Sequence, residues 1–346
     1  MTSHAIRQYV GLDVHKNFVY GVVKDKQGNT LFEKKFKTEP QEIDFFLLNV
    51  RRNDSIVAIE SCSCWQYVYD YLSDAGYNLV LAHPAGVEGL KKLRKHTDPD
   101  DAELLADLLR TNMLPLSYAP PWDIRVKRQI TRHRHSLTDV ENQVMNKVHA
   151  ILLRHGINSL PYSDAFCKKG IQYLQSIDLP GCDRFELDQY IALIQMLEEQ
   201  RAETSKAIEQ LGSDDPAVRL VMTMPGMGYY NATAFVGEVG DIRRFKKADN
   251  VASFAGLVPK VHQSGETTRS GSITKRGNRN LRHILIQAAN ICIQYDKTLK
   301  KTYLRLMPKK GHQKAITAIA RRMATLLYVM LKNNITYQAL QIHKAT

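Results

Sequence analysis

The order of extended and helical segments in the first 82 residues is the feature that most restricts the fold of this chain. Apolar or alternating segments at its start predict three strands joined by tight turns. Helical patterns then alternate with two further apolar strands, and this order predicts a mixed α/β sheet. The predicted strands cover 9–13, 18–23, 30–36, 55–60 and 78–82, and the predicted helices cover 40–51 and 65–75.

Two long amphipathic patterns follow a proline-rich break at 115–121. Apolar residues in them recur mostly at steps of three, four or seven, which predicts two long helices with narrow apolar stripes. Such stripes are typical of an antiparallel coiled coil, and a helical bundle uses the same spacing in its core. The stripes consist of Ile130, Leu137, Val140, Val144, Val148 and Ile151 in 123–155, and of Leu187, Ile191, Ile194, Leu197, Ile208 and Leu211 in 184–211.

These segments divide the chain into three predicted domains. The order of the N-terminal elements is that of a ribonuclease-H-like sheet, so we expect an α/β domain of that type over 5–120. Residues 121–213 are expected to form the coiled-coil region. From Asp214 the sequence becomes basic, helical and punctuated by glycine, which predicts an all-α domain over 214–346.

The positive charge is concentrated in the last third of the chain. Residues 243–346 hold 21 lysines and arginines against three acids, a net charge of +18, whereas the remainder has a net charge of −5. Such a surface attracts a polyanion and releases its counterions, while an evenly spread charge would only solubilise. We therefore expect a nucleic-acid partner.

Other sequence features indicate a cytoplasmic protein without a membrane partner. No segment reaches the roughly 18 uninterrupted apolar residues that a membrane span needs. The N-terminus lacks the pattern of a signal peptide. The five cysteines show no paired zinc-ligand spacing, so reduced thiols are expected.

Acidic residues lie at the ends of the predicted elements. Asp13 ends the first strand and Glu60 ends the fourth, and these strands are neighbours in a ribonuclease-H-like sheet. A third acidic group opens the helix that runs through Leu109. Pro99 disfavours helical dihedrals in the residue before it, which places Asp98 at the N-cap and Asp101 at the third helical position. Both side chains then share one side of the helix start.

Such carboxylates suit phosphodiester chemistry. Two divalent ions about 4 Å apart can hold the attacking and leaving oxygens of an in-line displacement. Mg²⁺ prefers oxygen ligands, and Mn²⁺ is an alternative cofactor. Taken singly, Asp13 is also a common turn residue, and Asp98 with Asp101 also fits a helix cap. Their order on successive elements favours the metal site.

Two glycine-bearing segments of the basic region predict contacts with phosphates. Pro225-Gly226-Met227-Gly228 precedes a helix, so its backbone N–H groups can hold a phosphate as in a helix-hairpin-helix entry, although a plain tight turn has the same composition. The stretch 260–282 is predicted to be a cationic loop that ends in a helix at about Asn278. Its predicted nucleic-acid ligands are Lys260, Arg269, Lys275, Arg276, Arg279 and Arg282.

A serine within that stretch can attack phosphorus while its cationic neighbours stabilise the developing charge. The chemistry alone leaves Ser264, Ser270 and Ser272 as equal candidates. All three are also ordinary hydroxyls for a loop.

In this order the motifs resemble a family of bacterial and archaeal insertion-sequence transposases, which have a DEDD, RuvC-like N-terminal domain and a C-terminal serine domain. The pilin-gene invertases are relatives of that family. The N-terminal motifs are Gly11-Leu12-Asp13-Val14, Ile59-Glu60 and Thr97-Asp98 with Asp101-Ala102. The C-terminal motifs are Met224-Pro225-Gly226-Met227-Gly228, Gly240-Asp241-Ile242-Arg243-Arg244-Phe245, Ala255-Gly256-Leu257-Val258-Pro259, Ser264-Gly265 and Ile273-Thr274-Lys275-Arg276-Gly277-Asn278.

The resemblance implies a role for each candidate residue. Asp13, Glu60, Asp98 and Asp101 are the implied metal ligands, with Asp100 left as an alternative to Asp98. Ser264 is the implied nucleophile, which forms a DNA phosphoserine. The acids and the serine are implied to meet in a composite site built from different protomers of a dimer or tetramer.

The resemblance also implies donor and target DNA as partners and, as in several members, a structured guide (bridge) RNA. It places the protein with the nucleoid of a bacterium or archaeon.

Two other classes of function remain open. One is a junction-resolving nuclease that uses the same acids without a covalent step, and the other is a DNA-binding architectural protein without catalysis. A sugar kinase of related topology is disfavoured, because Asp13-Val14-His15-Lys16 lacks the glycines that hold ATP phosphates.

Overall fold

The computed structural model describes residues 6–84, 86–87, 97–264 and 267–345, without the side chains of 260–264, 267–272 and 343–345. It forms two compact units, Met1–Ala119 and Pro120–Thr346. Within the described ranges, no helix is both long enough and apolar enough to cross a membrane.

The first unit is built on one mixed sheet, as the sequence predicts. The strands are β1 (Gln8–Val14), β2 (Phe18–Asp25), β3 (Thr30–Lys37), β4 (Ser55–Glu60), β5 (Leu79–Ala82) and β6 (Leu116–Ser117), and the helices are α1 (Pro40–Leu47), α2 (Trp65–Asp74) and α3 (Asp98–Arg110). The first five are the predicted strands, and the short β6 lies in the predicted proline-rich break. The strand order is β3-β2-β1-β4-β5-β6. The first three strands are antiparallel, β4 and β5 run parallel to β1, and β6 is antiparallel to β5.

Helix α3 lies directly against β1 because the strand has a glycine at the contact. A Cβ added to Gly11 would come within 2.0 Å of the Ala102 carbonyl oxygen and 2.8 Å of the Ala106 nitrogen. Both alanines are completely buried. This close approach brings the acidic start of α3 towards the strand that ends in Asp13.

A buried lysine also ties α3 to the sheet. The Lys24 ammonium on β2 donates to Glu103 at 2.7 Å and to Asp107 at 2.9 Å. Burial alone would lower the pKa of Lys24, but the two carboxylates outweigh it and leave the pKa raised. The lysine therefore stays charged and holds the helix.

The second unit begins with two helices of 33 residues each, α4 (Trp122–Arg154) and α6 (Gly181–Ser213), joined through α5 (Lys168–Ser176). Their lengths agree with the two predicted patterns. The stripe prediction was wrong at Val140, which is 40% exposed. The next residue, Glu141, is buried instead and forms an ion pair with Arg201 of α6 at 2.9 Å.

The remainder of the second unit is mainly helical around a single apolar core. The prediction of a loop over 260–282 was wrong for its first half, because Pro259–Ser264 and Thr267–Ile273 pair as the two antiparallel strands of a hairpin, from Pro259 with Ile273 to Ser264 with Thr267. Val261, Thr267 and Thr268 favour extended backbone, which the flanking charges had obscured. The elements are α7 (Pro216–Met222), α8 (Tyr229–Val239), a 3₁₀ turn (Ile242–Arg244), α9 (Ala248–Phe254), β7 (Pro259–Ser264), β8 (Thr267–Ile273), α10 (Arg279–Tyr295), α11 (Lys297–Lys310), α12 (His312–Asn333) and α13 (Tyr337–Ala345).

Candidate active site

Two of the predicted acids lie at the ends of neighbouring strands in the first unit's sheet. Leu12 of β1 pairs with Ile59 of the parallel strand β4, so Asp13 and Glu60 are the next residues along two neighbouring strands. Asp13 is buried, with 8% of its surface exposed. Parallel strands that end together bring such side chains to one edge, as the sequence predicted.

A third acid approaches Asp13 through a histidine that the sequence analysis did not select. His15 Nε2 lies 2.9 Å from Asp13 Oδ2 and 3.5 Å from Asp98 Oδ1. One potential ligand atom from each of these three residues lies within 4.8 Å of the other two. In the part of the chain that the structure describes, this cluster does not extend to Glu60 or Asp101.

The start of α3 differs from the prediction in its cap. Thr97, and not Asp98, is the N-cap: its hydroxyl accepts from the Asp100 backbone N–H at 3.4 Å and donates to Asp100 Oδ2 at 2.6 Å. Threonine with an acid three residues later forms a reciprocal capping pair, and Pro99 fits the second helical position, where its missing N–H costs nothing. Asp100 is thus held by the cap, while Asp98 faces the cluster.

A lysine and an aromatic ring border the cluster. Lys35 Nζ lies 3.5 Å from Asp98 Oδ2 and 3.7 Å from the centre of the Phe18 ring. The His15 ring stacks on the same phenylalanine with a centroid distance of 4.4 Å. The acids therefore face a positive charge, and the histidine ring is held in position.

Two thiols lie next to the same strand end. Cys62 Sγ donates to the Val14 carbonyl oxygen at 3.2 Å and lies 3.5 Å from Cys64 Sγ. Burial is the main cause that raises the pKa of Cys62 to about 11. The thiol is therefore a protonated hydrogen-bond donor near neutral pH and supports the strand end.

The glycines of the predicted phosphate-binding turn divide into two roles. Gly226 has φ +86°, and a Cβ there would come within 2.4 Å of the Ala288 carbonyl oxygen of α10, so this glycine serves packing. Gly228 is the N-cap of α8, and a Cβ there would meet no described atom within 4 Å. Backbone contact with a phosphate stays a prediction for both Gly226 and Gly228, and packing explains why position 226 holds a glycine.

The basic residues after the hairpin differ in exposure. Lys275, Arg276 and Arg279 are exposed. Arg282 is half-buried, and its guanidinium donates to the carbonyl oxygens of Ala255 at 3.0 Å and Lys275 at 3.3 Å. Arg282 thus holds the turn that carries the exposed cations.

The remaining predicted residues of this region lie at the hairpin. Ser264, Lys260 and Arg269 have described backbone on β7 and β8, with side chains outside the described part. Gly265 lies outside the described residues altogether.

Two sequence models of transposase families match the chain. One, for DEDD transposases of the IS110 type, matches residues 10–157, which include all four predicted acids. The other, described as "Transposase IS116/IS110/IS902 family", matches residues 218–304, which include Ser264. The chain belongs to this transposase family.

Similarity to proteins of individual insertion sequences extends over nearly the whole chain. It is 26% identical to the transposase for insertion sequence element IS1328 of Yersinia enterocolitica, over 93% of this chain and 96% of the relative. It is 24% identical to the transposase for insertion sequence element IS1111A of Coxiella burnetii, over 95% of this chain and 91% of the relative. It is 25% identical to an uncharacterized 44.8 kDa protein of insertion element IS116 from Streptomyces clavuligerus, over 96% of each.

As an IS110-family transposase, the protein is an enzyme that cuts and rejoins DNA, and DNA is its partner. This confirms the insertion-sequence interpretation and sets aside the purely architectural alternative. The DEDD domain indicates divalent metal use. The oxygens of Asp13 and Asp98 with the imidazole of His15 are suitable donors for such a cation, since they converge within ligand distance of one another.

Proposed function

We propose that this transposase moves its insertion sequence with Ser264 as nucleophile and with Asp13, Glu60, Asp98 and Asp101 as ligands of Mg²⁺ or Mn²⁺. The observation that carries the metal assignment is the meeting of Asp13 and Asp98, which come from elements 85 positions apart in sequence, around His15 Nε2. Acids whose only role was to close a turn or to cap a helix would have no reason to converge.

The four acids differ in what supports their role. Asp13 and Asp98 share the cluster, and Glu60 follows the neighbouring strand, one register position beyond Ile59. Asp101 lies three positions after Asp98 on α3, which puts the two residues on the same side of the helix start. The cation, when bound, aligns the oxygens at the scissile phosphate and neutralises their charge.

The serine step fits the residues around the hairpin. The Ser264 hydroxyl loses its proton as its oxygen bonds to phosphorus, the bond from phosphorus to one strand oxygen breaks, and the released strand oxygen takes up a proton to become a hydroxyl. A second strand hydroxyl then displaces the serine and restores it. Lys275, Arg276 and Arg279 are exposed just beyond β8, where they can stabilise the charge on the phosphate.

The nucleic-acid partners follow from the charge distribution. With a net charge of +18, residues 243–346 are suited to donor DNA, target DNA and a structured guide RNA. Lys260 and Arg269 on the hairpin, together with the N-terminus of α8 at Gly228, extend the surface proposed for phosphates. Because the relatives are bacterial, we place this activity at nucleoid DNA in the cytoplasm.

We assign the acids and the serine to different protomers of a dimer or tetramer. Such a composite site would allow cleavage only within the assembled complex. A mixture of Asp13→Asn and Ser264→Ala chains, each inactive alone, is then expected to recover part of the activity.

Strand cleavage tests the metal assignment. The Asp13→Asn chain should lose Mg²⁺-dependent cleavage of a DNA fragment that carries both ends of the element, because it loses a charged ligand. Asp74→Asn removes an exposed carboxylate of the same unit and serves as the matched control. Undiminished cleavage by Asp13→Asn would remove the metal site from the proposal.

A further inference from the structure

We propose that His15 is a ligand of the catalytic cation and that its imidazole shifts the preference of the site from Mg²⁺ towards Mn²⁺. The inference rests on the metal site of the proposed function. It adds a nitrogen donor to a set that the family resemblance describes as carboxylates alone.

The distances around His15 Nε2 allow three residues to share one cation. Nε2 lies 2.9 Å from Asp13 Oδ2 and 3.5 Å from Asp98 Oδ1. One potential ligand atom from each residue lies within 4.8 Å of the other two, so a single cation could contact all three. A hydrogen bond between His15 and Asp13 alone would not require the approach to Asp98.

Local contacts fix the ring before a cation arrives. The His15 ring stacks on Phe18 with an interplanar angle of 25°. The His15 backbone N–H donates to the Phe18 carbonyl oxygen at 2.9 Å, and the Thr38 hydroxyl donates to the His15 carbonyl oxygen at 3.2 Å. A ligand that is already oriented loses little entropy when it binds a metal. The sequence places Asp13 and His15 two positions apart, on the same side of an extended chain.

Lys35 supplies a positive charge beside the cluster. Its ammonium lies 3.5 Å from Asp98 Oδ2 and 3.7 Å from the centre of the Phe18 ring. A cation held by Asp13, His15 and Asp98 would neutralise Asp98. Lys35, with 54% of its side chain exposed, could then turn towards a phosphate.

The imidazole gives the site its selectivity. Mg²⁺ binds oxygen donors and keeps several waters, so it gains little when a nitrogen replaces a water. Transition-metal ions bind imidazole better than Mg²⁺ does, and Mn²⁺ is a transition-metal ion that also binds carboxylates well. His15 therefore adds more affinity for Mn²⁺ than for Mg²⁺.

Electron paramagnetic resonance of Mn²⁺ tests the inference on the full chain. Mn²⁺ is titrated into the wild type, His15→Ala, Asp13→Asn and Lys16→Ala, and Mg²⁺ is then added as the competitor. We expect His15→Ala to weaken Mn²⁺ binding by about tenfold or more, as losses around metal sites commonly do, and to weaken Mg²⁺ binding much less. Lys16→Ala removes the exposed neighbouring side chain and should bind both cations as the wild type does.

A spectroscopic signature keeps the test independent of variant folding. Pulsed measurements on Mn²⁺ in the wild type should show coupling to an imidazole nitrogen that changes when histidine is labelled with ¹⁵N and that Asp13→Asn removes. Absence of this coupling, or equal Mn²⁺ affinity of the wild type and a folded His15→Ala, overturns the role of His15 and leaves the carboxylate site standing. A wild type that binds neither cation overturns the proposed metal site together with this inference.

Discussion

The Asn278 side-chain amide donates to Glu238 Oε2 at 2.6 Å, while its own oxygen accepts the Leu281 backbone N–H at 2.9 Å. One side chain thus caps α10 and binds a carboxylate that is only 1% exposed. Arg132 of α4 donates to both oxygens of that carboxylate, at 2.7 and 2.9 Å. The helix that follows the Ser264 hairpin is therefore anchored to two other helices through Glu238.

Replacement of Glu238 by glutamine should destabilise the second unit. Glutamine keeps the shape of the side chain but leaves the Arg132 guanidinium without a carboxylate partner at this position. We therefore expect a loss of about 2 kcal/mol in the free energy of unfolding. Urea denaturation at pH 7 measures this loss. Glu209→Gln, at an exposed position of α6, should change stability by less than about 0.5 kcal/mol.

Acid should reduce the difference in the free energy of unfolding between the wild type and Glu238→Gln. Burial alone would raise the pKa of Glu238, but hydrogen bonds from Arg132 and Asn278 outweigh it and lower the pKa. A lowered pKa gives stability that is present above the unfolded-state pKa of about 4.3 and is lost as pH falls through the folded-state pKa. Denaturation curves between pH 7 and pH 3.5 should converge, and a difference that grows in acid contradicts this explanation.

Replacement of Gly11 by alanine should separate α3 from β1. The added methyl group would collide with the Ala102 carbonyl oxygen, which is backbone and cannot turn away. We expect a loss of about 2–3 kcal/mol and weaker Mn²⁺ binding, because Asp98 moves with the helix. The matched control is Gly181→Ala, where the new methyl group meets no described atom within 4 Å. Equal stability of the two variants would show that the close approach does not position the acids.

Cys62 should resist alkylation in the folded protein. With a pKa of about 11, its thiolate fraction at pH 8 is about one in a thousand, and the thiolate is the reactive form. Mass spectrometry after iodoacetamide treatment at pH 8 should find the exposed Cys182 modified first and Cys62 modified mainly after denaturation. Preferential labelling of Cys62 in the native chain would refute its role as a protonated donor at the strand end.

The mixed sheet and the adjacent strand ends that carry Asp13 and Glu60 could be predicted from the sequence, since both depend on local patterns and on the way parallel strands end together. The two long helices of the second unit were also predictable, because each apolar pattern extends over many turns. Exposure of Val140 was not predictable, because the packing of one helix face against a partner decides it.

The missed features depend on contacts between distant residues or on competition between close alternatives. Thr97 and Asp98 both suit an N-cap, and the reciprocal pair with Asp100 decides between them. The role of His15 needs the ring orientation that Phe18 sets, and Gly226 needs its contact with Ala288, 62 positions away. Sequence spacing contains none of these distances.

The central claim is that Ser264 attacks DNA with the help of a divalent cation. The most direct test incubates labelled DNA, which carries both element ends and the adjoining non-coding sequence with its transcript, with the transposase and Mg²⁺, and separates the products on a denaturing gel. The account predicts a protein–DNA adduct with the wild type, Ser270→Ala and Ser272→Ala, and none with Ser264→Ala or Asp13→Asn. An adduct formed by Ser264→Ala, or wild-type cleavage without any adduct as a junction-resolving nuclease would give, contradicts it.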